Sequence, residues 1–201
     1  MITDLASLEQ IIDLGNLKLL ALRLPDLVGS PLSINALRED LQVSHDSVSR
    51  WIAALERLYA IVRISPFGAP KLRAIKKAQK HYLFDWTQVA SMPERFENLV
   101  AMALLKWIHF QQGNEGRDLD LRYFRDVDGR EVDFVVTERN QPIKFIETKW
   151  SDSSLDRGIR YLKARFPSVE SWKISATGVK DALTFEGIRL APASEFLLNL
   201  V

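Results

Sequence analysis

The sequence predicts an α/β protein: a helical N-terminal region closed by a two-stranded ribbon, then a domain built on a mixed sheet. Three observations carry this. Apolar residues recur at helical spacing from Leu5 to Leu58, with serines placed to open two of the helices. Between Leu119 and Lys149 the spacing switches to alternation, in short runs broken by turn residues. A helical run from Leu155 to Phe166 then separates the third of these runs from a fourth, Trp172 to Ser175, and such a crossover makes those two strands parallel.

In chain order, residues 5–28 carry Leu5, Leu8, Ile11, Ile12, Leu17, Leu20 and Leu24 in a helical pattern, with Gly15-Asn16 as a break. Ser33 to Leu41 and Ser44 to Leu58 follow as two helices, each with a serine able to cap its first amides. The link Gln42-Val43 is as short as a helix-turn-helix requires, and Leu37 and Leu41 would face Val48, Ile52 and Leu55. Ala60 to Ile64 reads as a strand and His81 to Phe84 as its return. Three helices and a ribbon make residues 1–90 a winged-helix domain. Its second paired helix would turn Ser47 and Arg50 toward a DNA groove, and the connecting segment would offer Lys71, Arg73, Lys76, Lys77, Lys80 and His81 to phosphates. The alternative is a protein-interaction module, because Asp46 and Glu56 offset Arg50 and Arg57 on the reading helix.

Ser91-Met92-Pro93-Glu94 opens a long helix, and with it a second domain, 91–201. The helix is expected to reach Phe110, with Phe96, Val100, Ala103 and Trp107 as its apolar stripe and 111–118 as a polar loop. Glu97 shares a neighbouring line with Ala101, Leu104 and Ile108. A carboxylate there is costly unless paired or bound to something; otherwise it is a first-turn acid favoured by the helix dipole.

The strands Leu119 to Arg125, Glu131 to Glu138 and Ile143 to Lys149 form an antiparallel meander, turned by Asp128-Gly129 and by Arg139-Asn140-Gln141-Pro142. Alternation puts Val132, Phe134 and Val136 on one face and Glu131, Asp133 and Val135 on the other. A hairpin centred on Asn140 sets Asp133 opposite Glu147 and Glu131 opposite Lys149. Two opposed carboxylates repel unless something positive lies between them: a divalent cation such as Mg²⁺, or a lysine. With a metal between Asp133 and Glu147, Lys149 would orient a water; without one, the face is solvated and Glu131 pairs with Lys149.

Asp133 followed by Glu147-Thr148-Lys149 resembles the core of the PD-(D/E)XK nuclease superfamily. The run Gly129 to Val136, with Ile146 to Lys149, is similar to the nuclease-like C-terminal domain of unknown function attached to bacterial and archaeal AAA+ type ATPases. The segments LERLYAIVRISPF and KKAQKHYLFDW extend that likeness to nearly the whole chain, although no proline precedes Asp133. The resemblance implies a restriction-endonuclease-like mixed sheet. It also implies Asp133, Glu147 and Lys149 as catalytic residues, and Asp133, Glu147 and Glu97 as ligands of Mg²⁺ or Mn²⁺. DNA and an ATPase module, in this chain or another, are the implied partners.

The net charge of +1 confines any nucleic-acid site to a local patch, and the lack of cysteine excludes disulfides and thiolate metal sites. With no membrane-length apolar run and no signal-type start, a cytoplasmic protein is expected. The chain lacks Gly-x-x-x-x-Gly-Lys-Ser/Thr, so it is not the nucleotide-hydrolysing unit by the usual phosphate loop, and is either part of a longer ATPase or a stand-alone relative. Two functions remain open: a Mg²⁺-dependent phosphodiesterase or its descendant, and a non-catalytic DNA- or protein-binding module coupled to an ATPase. A weaker third is an antitoxin-like transcriptional regulator. An oligomer is compatible with this sequence.

Overall fold

The computed structural model describes residues 13–68 and 79–200. The Asp13 carboxylate accepts the Asn16 amide and starts α1 (Leu14–Arg23), so Gly15-Asn16 lies in a first turn instead of breaking a helix. The earlier part of the expected helix, with Leu5, Leu8, Ile11 and Ile12, lies outside the described residues. α2 (Ile34–Leu41) and α3 (His45–Arg57) begin at Ser33 and Ser44, whose hydroxyls accept from the amides of Ala36 and Ser47. Leu37, Val48, Ile52 and Leu55 are buried between them, as the spacing requires. β1 (Ile61–Pro66) and β2 (Lys80–Leu83) form the antiparallel ribbon.

That ribbon does not stand free. Ser65 and Pro66 pair in parallel with Arg122 and Tyr123 of β3 (Leu119–Arg125), and the sheet continues through β4 (Glu131–Glu138), β5 (Gln141–Lys149), β6 (Glu170–Ser175), β7 (Ala182–Leu183) and β8 (Arg189–Pro192). Its order is β2-β1-β3-β4-β5-β6-β8-β7, an eight-stranded mixed sheet. β5 and β6 are parallel, as expected; the short edge strand β7 is not evident from the sequence. One hydrophobic core holds residues from Leu17 to Leu200, on both sides of residue 91.

α4 (Met92–Glu115) covers one face of the sheet, α5 (Arg157–Arg165) the other, and α6 (Ala193–Leu198) closes the chain. α4 runs past Phe110 to a left-handed Gly116 (φ 64°), so most of the expected polar loop is helix. Its most buried line is Ala101, Leu104 and Ile108, the line of Glu97, while Ala103 and Trp107 are half-buried. The Ser91 hydroxyl bonds the Glu94 carboxylate and caps no backbone amide, so the two side chains meet without making the reciprocal capping box.

Two irregularities set which side chains meet. Arg139 and Asn140, both with positive φ (48° and 65°), make a two-residue turn that pairs Glu138 with Gln141. A shift after Thr137 then pairs Val136 with Lys144 and Phe134 with Ile146, the register centred on Asn140. A second shift lies between β3 and β4: Arg122 opposes Val135, but Phe124 opposes Val132, so β4 carries one extra residue at Asp133-Phe134. Strict alternation fails there. Val132 joins Val135 and Phe145 on the α5 side, while Phe134, Val136 and Ile146 belong to the core under α4.

Candidate functional site at a buried lysine and its carboxylates

Lys80 opens β2 and is 1% exposed. Residues two apart on a strand share a face, so Lys80 and Tyr82 both point at α4 and the start of β4. The Lys80 ammonium lies 2.7 Å from Glu131 Oε1, 3.5 Å from Glu97 Oε1 and 3.9 Å from Asp133 Oδ1. The Tyr82 hydroxyl donates to the same Glu97 oxygen at 2.7 Å. Burial by itself would lower the Lys80 pKa, but the carboxylates of Glu97, Asp133 and Glu131 outweigh it and hold the pKa above the ordinary lysine value. This corrects the expectation that Lys80 and His81 contact phosphates. His81 is 0% exposed and its Nε2 donates to the Leu24 carbonyl at 2.9 Å, on the other face of β2.

The acid on the apolar line of α4 is therefore a paired one. Glu97 has its pKa raised from 4.5 to about 7, first by burial and then by Asp133, with Lys80 and Tyr82 acting in the opposite direction. Asp133, carried inward by the bulge, accepts the backbone amide of Thr148 at 2.8 Å and its hydroxyl at 2.7 Å through Oδ2. Gly158 fixes the far side: α5 lies so close to β4 that a Cβ there would overlap the backbone of Glu131.

Glu147 takes a different set of partners. It alternates with Thr148 along β5, onto the face of Phe145, and Lys149 Nζ donates to its Oε1 at 2.8 Å. Lys149 also lies 3.6 Å from Asp156 at the start of α5, and Asp156 in turn holds Lys173 at 3.0 Å. Glu147 Oε2 is buried without a hydrogen bond among the described residues. Burial, then Asp133, raise the Glu147 pKa from 4.5 to about 8, against the pull of Lys149. The expected cross-strand pair of Glu131 with Lys149 does not form, because Glu131 is taken by Lys80.

Glu97, Asp133 and Lys149 do meet at one place, a cleft of about 190 Å³ between the first turns of α4 and the end of β5, bordered by Glu94, Thr148 and Trp150. The residues as folded do not suit a divalent cation. Among the described residues no three acidic or histidine side chains converge without a lysine between them. Asp133 Oδ2 is committed to Thr148, and the hydrogen-bonded oxygen of Glu147 to Lys149.

Of the expected DNA-contacting residues, Arg50 is exposed, and Ser47 is half-buried with its hydroxyl against that of Ser44. Lys71, Arg73, Lys76 and Lys77 lie outside the described residues. Sequence reasoning missed the central role of Lys80. The signal available was a lysine two residues before a tyrosine at the start of the returning strand, which alternation places on one face.

Residues 94–195 match the family described as Domain of unknown function (DUF4143). The chain belongs to the DUF4143 family. Residues 1–98 match a second description, Domain of unknown function (DUF8612). No curated protein and no solved structure gave a match. The DUF4143 stretch thus holds Glu97, Glu131, Asp133 and Glu147, while Lys80 comes from the DUF8612 stretch and Glu97 alone among these lies where the two overlap. No described helix is long and apolar enough to cross a membrane.

The raised pKa values set a pH dependence. Glu97 and Glu147 hold protons in the folded chain that they release when it unfolds, so their contribution to stability falls as pH rises from about 4.5 to about 8, while buried His81, whose pKa is lowered, contributes in the opposite sense. Glu147→Gln should flatten the upper part of that decline and be more stable than wild type at pH 8, read by urea unfolding across the range. A Glu147→Gln variant whose stability follows the wild-type pH profile throughout would refute the burial of this acid.

Proposed function

We propose that this DUF4143 chain is a nuclease-derived, non-catalytic binding module that serves an AAA-type ATPase. The observation that carries it is the buried Lys80 ammonium, which already engages Glu97 and Asp133, two of the three acids that a cleaving relative would use as metal ligands, together with Glu131. A fixed ammonium neutralises the carboxylates but has no open coordination position and cannot polarise a water as a divalent cation does. The link to an ATPase draws on the sequence likeness and on the common occurrence of DUF4143 domains in AAA-ATPase-associated proteins. The helix pair α2–α3 with the β1–β2 ribbon reads best as a winged-helix element joined to the nuclease-like sheet, a connector as much as a DNA reader.

The test is calorimetric titration with Mg²⁺ and Mn²⁺, beside cleavage assays on single-stranded, duplex and branched DNA, for wild type and Asp133→Ala. The expected result is no saturable metal binding and no cleavage that the substitution removes. Metal-dependent cleavage lost in both Asp133→Ala and Glu147→Ala would restore the phosphodiesterase reading, with the 190 Å³ cleft as its site.

A further inference from the structure

A second concavity lies against α5, with a volume of about 790 Å³, and shares no residue with the cleft at Glu97. Five aromatic residues line it: Phe67 just after β1, the buried Tyr123 and half-buried Phe124 near the end of β3, Tyr161 on α5 and Phe166 at its C-cap. They are held in place by one another. Phe124 and Tyr161 are stacked, 5.9 Å between centroids and 20° between planes, and the Arg130 guanidinium packs on Tyr161 at 3.9 Å. Phe67 meets Phe166 edge-on at 6.0 Å, and its amide donates to the Tyr123 carbonyl at 2.6 Å.

The charges at this groove favour an anion. Arg125 and Arg165 line it, are exposed, and have no side-chain hydrogen bond or ion pair with another described residue. The one carboxylate in the lining, Asp126, is occupied by Arg130 at 2.6 Å and by the amides of Asp128 and Arg130. Half-buried rings beside uncommitted arginines are what a base and its phosphate require: π faces for stacking, and cations for the backbone. Leu162, Val127 and two prolines complete the lining, but an aliphatic peptide segment would leave the arginines unused.

We propose that this groove is a binding site for single-stranded nucleic acid, with bases stacking on Phe124 and its neighbours and phosphates engaging Arg125 and Arg165. It goes beyond the reading of the Lys80 cluster and does not depend on it.

The experiment is fluorescence anisotropy of a labelled oligothymidine with the full chain, against the same length of duplex, with unlabelled thymidine monophosphate as competitor. The variants are Phe124→Leu, which keeps apolar bulk but removes the π face, and the double substitution Arg125→Ala/Arg165→Ala at exposed positions, with thermal melts confirming that each folds. Wild type should bind the strand saturably, and Phe124→Leu should weaken it by about tenfold, the scale of one base–aromatic stack. The arginine pair should lower affinity and reduce the slope of log affinity against log salt by roughly 1.4, about 0.7 for each lost single-strand phosphate contact. Absence of saturable binding, equal affinity for duplex, or monophosphate binding as tightly as the strand would overturn the proposal. So would strand binding that the arginine pair leaves unchanged.

Discussion

Lys80→Met is expected to cost about 3–5 kcal/mol of stability at neutral pH, the range measured when one partner of a buried ion pair is removed and its counter-charges are left behind. Methionine conserves the length and apolar stem of lysine, so the loss comes from charge and not from a cavity. Glu97, Glu131 and Asp133 would then face one another with the Tyr82 hydroxyl as the remaining donor to Glu97. The sign with pH is fixed by the same geometry. Without Lys80, whose charge lowers the Glu97 pKa, Glu97 takes up its proton at a higher pH than in wild type and relieves the repulsion, so the deficit relative to wild type should shrink toward pH 5 and grow toward pH 8. Guanidinium unfolding at both pH values measures it. A loss under ~1 kcal/mol, equal at the two pH values, would place Lys80 outside the carboxylate cluster.

Asn98→Leu should cost about 2–6 kcal/mol, because two backbone groups lose their partners at ~1–3 kcal/mol each. Asn98 is 0% exposed, one residue from Glu97 in α4. Its side-chain oxygen accepts the Leu83 amide at 2.8 Å and its side-chain nitrogen donates to the Leu83 carbonyl at 2.7 Å. β2 is an edge strand, and this amide covers one end of that edge as another strand would; the Leu32 amide, donating to the Gln79 carbonyl at 2.8 Å, covers the other. Leucine fills the same space and satisfies neither group. Hydrogen exchange at the Leu83 amide should accelerate together with the loss of stability. An unchanged exchange rate would show that the α4–β2 clasp is not formed in solution, and with it the placement of Tyr82 against Glu97 would fall.

Both substitutions act where the region matching DUF8612 meets the region matching DUF4143, and this bears on the proposed role. Lys80 and Leu83 belong to the ribbon and Glu97 and Asn98 to the long helix, so the charge cluster and the amide clasp fasten one to the other. A chain that uses its buried acids to join two regions has a structural use for them that does not require cleavage. An ATPase module acting on the N-terminal helices would, through this joint, act on the sheet as well.

Local chemistry was enough to place most elements. The serines at 33 and 44, the alternation of β3 to β5 and the helical crossover to β6 each carry their information within a few residues, so the capped helices, the antiparallel meander and the parallel β5–β6 pair are all legible in the sequence. The register of Phe134 against Ile146 was legible too, although the observed turn is shorter and a bulge makes up the difference. The partners of the charged groups were not legible. Alternation can say that Asp133 and Glu147 occupy neighbouring strands, but the extra residue at Asp133-Phe134 is detected only as a mismatch between β3 and β4, and it turns Asp133 toward Lys80. Lys80 itself looks in sequence like one more cation in a basic segment. Its burial follows from the pairing of β1 with β3, which continues the ribbon into the main sheet and brings β2 over the start of β4. A helix cap is a contact between residues three apart, whereas the ammonium of Lys80 and the carboxylates it neutralises are 17 to 53 positions apart, and only the closed sheet brings them together.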